Sequence, residues 1–64
     1  MESKFYKGNQ VRLIEVNTQD IEYGRYIGEV GTFNHYFENT PDLAIVDFPK
    51  TPNYCVFVKD IEIV

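Results

Sequence analysis

The sequence predicts an all-β fold of five short strands in a single small domain, and three observations carry the prediction. Short β-branched and aromatic runs recur along the chain, separated by turn-forming residues. No window of helical length keeps apolar residues at i, i+3, i+4 and i+7 without meeting Gly, Pro or an Asn/Asp cluster. The 64 residues are 44% hydrophobic and 16% aromatic, too apolar for a disordered chain and long enough for one core.

The strands follow in order. Lys7-Gly8-Asn9 is a turn signal, and residues 10–16 form the first strand, with Val11 and Leu13 alternating with Gln10 and Arg12. Residues 17–24 are polar and unpatterned and read as a long loop. The second strand spans residues 26–34 and contains Gly28 and Gly31, two glycines that mark a sharp bend, a bulge or a close backbone approach. A second loop covers residues 35–42. Residues 43–48 make the third strand, with Ala44, Val46 and Phe48 on its inward face and Asp47 opposite. Pro49 and Pro52 cannot continue a ladder, so residues 49–53 are a tight connection to a fourth strand over residues 54–58. Lys59-Asp60 is expected as a 3₁₀ turn, and residues 61–64 as the fifth strand. The apolar runs of strands three and four suggest central strands, and the alternation in one and five suggests edges. Residues 1–6 read as a loosely attached tail.

Composition narrows the function. Cys55 is the one cysteine, which fits a reducing, cytoplasmic setting and leaves the core without a disulfide. One Cys and one His cannot fill the four positions of a structural zinc site, and no cofactor motif is present. No run approaches 18 apolar residues, so no membrane span is expected. The reactive inventory is His35, Cys55 and Ser3, and Cys55 lies in an apolar run where a free thiol serves as a small buried hydrophobe. A non-enzyme is expected.

The order of the pieces is similar to SH3-like barrels, in which five strands are closed by a 3₁₀ turn before the last. The resemblance rests on Lys7-Gly8-Asn9-Gln10-Val11-Arg12-Leu13, the long loop ending at Gly24, Gly28-Glu29-Val30-Gly31-Thr32, and the chain end from Val56 to Val64. The middle segment also resembles the glycine-containing turn of KOW-type domains. At finer grain the chain resembles small phage or prophage products, a likeness that brings no site with it. The resemblance implies a monomeric barrel over residues 7–64. Two departures matter. Peptide-binding SH3 domains use an Ala-Leu-Tyr-Asp-Tyr stretch and a groove Trp, and neither is here, which speaks against recognition of proline-rich peptides. KOW-type and related nucleic-acid barrels are basic, whereas this chain has ten acids against six bases and a net charge of −4.

That acidity argues against a nucleic-acid partner, since Lys4, Lys7, Arg12 and Arg25 are opposed by Glu2, Glu15 and Glu22. The aromatic content argues for a protein partner. Tyr23, Tyr26 and Tyr36 lie in or beside the two long loops, and tyrosines are enriched at interfaces. They are the candidate binding residues, for an unidentified host or phage protein. Two other readings of the same rings stay open: packing over the barrel mouths with hydroxyls in water, and an aromatic cage for methylated lysine with Asp20 or Glu22 nearby. The alternative class of function is an accessory domain that touches nucleic acid or a nucleoprotein complex.

Overall fold

In the computed structural model, which describes residues 5–64, five antiparallel strands form a single sheet in the order β4-β3-β2-β1-β5. They are β1 (Gln10–Leu13), β2 (Val30–Tyr36), β3 (Leu43–Phe48), β4 (Thr51–Phe57) and β5 (Ile61–Ile63). The all-β class expected from the sequence is observed. No pairing joins β4 to β5 among the described residues, so hydrogen bonds do not close the sheet into a cylinder.

One face of the sheet wraps a single core of Phe5, Val11, Leu13, Phe33, Ala44, Val46, Phe48, Val56 and Ile61. Residues from all five strands share this core, which requires the sheet to fold over on itself. The 3₁₀ turn at Val58–Asp60 makes the fold-over possible. It carries the chain from one rim of the sheet to the other, and the Ile14 amide anchors it by donating to the Asp60 carbonyl at 2.7 Å.

Several boundaries and positions differ from the sequence reading, each for a physical reason. The segment 17–24 is not wholly irregular: Thr18–Glu22 forms a short helix, α1, started by a reciprocal side-chain cap between Asn17 and Asp20. Strand β2 begins at Val30 and runs to Tyr36, four residues later than expected at its start, because Gly28 has φ +94° and turns the chain immediately before it. Strand β4 begins at Thr51, not Tyr54. Phe48 pairs with Thr51 across a two-residue hairpin, and Pro52 is tolerated because β4 is an edge strand. The edge position itself corrects an expectation. The apolar run of β4 reflects a buried Val56 on one face and the exposed Cys55 and Phe57 on the other, not burial on both faces. Conversely, β1 lies inside the sheet between β2 and β5. Phe5, expected in a loose tail, is buried in the core and stacks on Phe33 at 5.6 Å. Tyr6 is exposed, with its amide donating to Asn9 Oδ1 at 2.9 Å, and residues 1–4 of the expected tail lie outside the described residues.

Gly31 confirms the expected close approach. A Cβ there would sit 2.8 Å from side-chain atoms of both Phe48 and Val46 and 3.0 Å from the Asp47 carbonyl oxygen. Two bulges add further curvature, one between Phe33 and His35 and one in β4 opposite the step from Val46 to Phe48. Asp47 ties both down: its carboxylate accepts from the Asn34 side-chain amide at 3.1 Å and from the Asn53 backbone amide at 2.8 Å.

Candidate functional site

The segment from Asn17 to Glu29 arches from the end of β1 to the start of β2, and polar groups buried beneath it hold it in place. Asp20 is the pivot. Its backbone amide donates to Asn17 Oδ1 at 2.8 Å, and its carboxylate accepts from the Asn17 amide at 3.1 Å and from the Tyr54 hydroxyl at 2.6 Å. The Arg25 amide then donates to the Asp20 carbonyl at 2.8 Å, which turns the chain back over the core. The Arg25 guanidinium lies over the Phe48 ring at 4.9 Å and the Tyr54 ring at 5.5 Å. Its Nε is 3.3 Å from Glu29 Oε1, close enough for ion pairing but outside hydrogen-bond geometry, and Nη1 likewise makes no hydrogen bond. Both side chains are more than nine-tenths buried. Burial, then the Asp20 hydrogen bond and charge, raise the Tyr54 phenol above its ordinary 10.0.

Four large apolar side chains of this braced segment are exposed among its polar ones, Thr18, Gln19 and Glu22. Ile21, Tyr23, Tyr26 and Ile27 are 63%, 63%, 61% and 64% exposed. Tyr23 caps the C-terminus of α1 and meets Tyr54 edge-on at 6.2 Å. Of the three tyrosines singled out in the sequence, Tyr23 and Tyr26 are therefore both exposed on this segment. Tyr36 does not lie in a loop. It is the last residue of β2, half-buried, with its ring edge-on to Phe33 at 5.0 Å and its hydroxyl accepting from the Phe5 amide at 3.0 Å. Tyr36 packs against the core with its hydroxyl engaged by the Phe5 amide, not held in water over a barrel mouth. The sequence reading missed Ile21 and Ile27, and it missed the bracing roles of Asp20, Arg25 and Glu29. The Asn17-x-x-Asp20 spacing was the signal for the helix, and with it for the rigidity of the arch.

The rings that do converge, Phe48 and Tyr54, are already occupied by the Arg25 guanidinium, so that pair offers no vacant cage for a methylated lysine. Cys55 and His35 are both exposed, which corrects the expectation of a buried thiol. In the sheet each is paired to Ile45, one on either side, so their backbones are two strand spacings, about 10 Å, apart. Partial burial raises the Cys55 thiol above its ordinary 9.0. The cations are mostly engaged. Arg12 bonds Glu62, Arg25 is buried against Glu29, and Lys59 lies 2.9 Å from Asp60 and 3.6 Å from Glu15. The Asp60 hydrogen bond, then its charge, raise the pKa of Lys59.

Among the described residues, no group of three or more His, Cys, Asp or Glu side chains is arranged to hold a metal ion, and no helix is long and apolar enough to cross a membrane. No protein-family model, curated protein or solved structure matches the chain.

Proposed function

We propose that the protein is a non-catalytic interaction module, an SH3-like barrel left open at one seam, which binds another protein through the apolar row on the arch. The carrying observation is the combination of exposure and bracing. Four large apolar side chains stand in water within a seven-residue stretch whose backbone is fixed by Asp20, Arg25 and Glu29. A surface held in place before binding loses little conformational entropy on association. Burial of such a row contributes at roughly 25 cal/mol per Å² of apolar area before association costs are subtracted.

Charge narrows the partner. On the arch and its flank Glu22 and Glu15 are exposed while Arg25 is buried against Glu29, so a partner with a basic rim is favoured. The same charge pattern and the neutralised cations speak against nucleic acid. The resemblance to phage and prophage products and the single thiol suggest a monomer working in a bacterial cytoplasm.

The experiment compares capture by the wild-type protein with capture by a variant carrying Ile21→Ser, Tyr26→Ser and Ile27→Ser, in lysate and after crosslinking. A protein retained by the wild type and lost by an equally stable variant is the expected result. Identical captured sets would overturn the reading, and so would a shift of DNA or RNA mobility at physiological salt.

A further inference from the structure

A second surface, independent of the loop row, carries its own argument. Strand β4 is a rim of the sheet, and its two halves differ. Pro52 and the bulge at Asn53 (φ 57°) break the first half, whereas Tyr54 to Phe57 runs in regular register with Val46 to Leu43. Along that regular half lies a cleft of about 170 Å³, room for one large side chain. Cys55, Val56 and Phe57 form one bank with Leu43, and Asn17, Gln19 and Asp20 of the α1 segment form the other. Phe57 is nearly half exposed although the core makes no use of its outward face. The lining is apolar on the strand side and amide or carboxylate on the helix side; Lys59 Nζ lies 5.7 Å from the Phe57 ring but is itself paired with Asp60 and Glu15. Asp20, nine-tenths buried, receives only neutral donors, Tyr54 and the Asn17 amide, and is in no ion pair.

We infer that the cleft between α1 and the edge of β4 takes an extended basic segment of a partner protein, which adds as a strand alongside Tyr54 to Phe57. Main-chain hydrogen bonds to the free edge give affinity, and alternate side chains give specificity. One apolar side chain fills the cleft over Leu43, Val56 and Phe57, and a neighbouring Lys or Arg meets Asp20 and the exposed Asp42 beside Leu43. A second copy of this chain is a poor occupant, because a net charge of −4 would bring acid to acid.

The probe is a capped Lys-Val-Leu-Val-Lys peptide, titrated into isotopically labelled protein and followed by amide NMR, with Glu-Val-Leu-Val-Glu as control. The expected result is movement of the backbone amides of residues 54–57 and the side-chain amides of Asn17 and Gln19. The acidic peptide should bind at least about tenfold more weakly, and added salt should narrow the difference. Gln19→Lys and Phe57→Lys, both at solvent-facing positions, should each weaken binding of the basic peptide while leaving the melting temperature unchanged. Absence of edge shifts up to low-millimolar peptide, or equal binding of the two peptides, overturns the inference. Shifts confined to residues 21–27 overturn it too, while leaving the loop row intact as a binding surface.

Discussion

The Tyr54 hydroxyl donates to Asp20 Oδ1 at 2.6 Å, joining an edge strand to the one helix of the described chain across 34 residues of sequence. The acceptor is buried and charged, so the bond belongs to the stronger class. Tyr54→Phe removes the donor and leaves the carboxylate short of a partner, at a cost of about 1.5–3 kcal/mol. In urea the midpoint should fall with little change in slope, because the arch loosens while the core stays formed.

Alkaline pH should test the same bond. The Tyr54 phenol is raised in the folded state above its ordinary 10.0, so the native protein holds that proton more tightly than the unfolded chain. Its stabilising contribution is complete below pH 10 and drains away as the pH climbs toward the folded value. Denaturation midpoints measured between pH 8 and 11 should decline at the upper end for the wild type, and less steeply for Tyr54→Phe.

The Arg25–Glu29 pair should behave as a buried ion pair of poor geometry. Arg25→Ala leaves Glu29 charged, buried and alone, at a cost of about 3–5 kcal/mol. The double variant Arg25→Met, Glu29→Leu removes both charges and keeps side-chain volume over Phe48 and Tyr54. It should be at least as stable as the wild type, by up to about 1–4 kcal/mol in thermal or chemical melts. A double variant no better than the single one would show that the pair itself holds the arch.

At Gly31 a single added methyl group meets Phe48, Val46 and the Asp47 carbonyl within 3.0 Å. Overpacking of this kind costs about 1–3 kcal/mol. A domain of this size has on the order of 3–5 kcal/mol to lose, so Gly31→Ala should stay folded at room temperature but melt lower than the wild type, by about 4–8 °C per kcal/mol lost, as followed by circular dichroism.

Much of this architecture could be read from the residues. Alternation placed Ala44, Val46 and Phe48 on the inward face of β3, where all three are buried. The pair of glycines pointed to a sharp bend, a bulge or a close approach, and Gly28 makes a turn while Gly31 permits a close approach. Strand order was harder. The run Tyr54-Cys55-Val56-Phe57 has the composition of a central strand, and only topology reveals it as a rim. Hydrophobicity records that a side chain avoids water, not which neighbour will cover it.

The candidate surface was half legible for a related reason. Tyr23 and Tyr26 are candidate binding residues because tyrosine is enriched at interfaces, and both are exposed. Tyr36 met the same criterion yet packs on Phe33, since strand β2 extends two residues past the expected start of the loop. Ile21 and Ile27 were passed over because lone isoleucines in a polar segment give no periodic signal. Asp20, Arg25 and Glu29 looked like ordinary surface charges. Asp20 and Arg25 meet a long-range partner, Tyr54 in β4, that local sequence does not specify, and Glu29 is buried against Arg25.

The broken first half of β4 has a consequence for how the protein behaves when crowded. An unclosed sheet offers two rims on which further chains could template, the route by which small β proteins grow into fibrils. Here β5 spans only Ile61–Ile63, and in β4 the first residue, Thr51, is followed by a proline that lacks an amide hydrogen and an asparagine that swings the backbone out of line. What is left of the β4 rim, Tyr54 to Phe57, has room for one short segment but not for the long continuous pairing that fibrils need, so the break lowers the tendency to stack in concentrated solution.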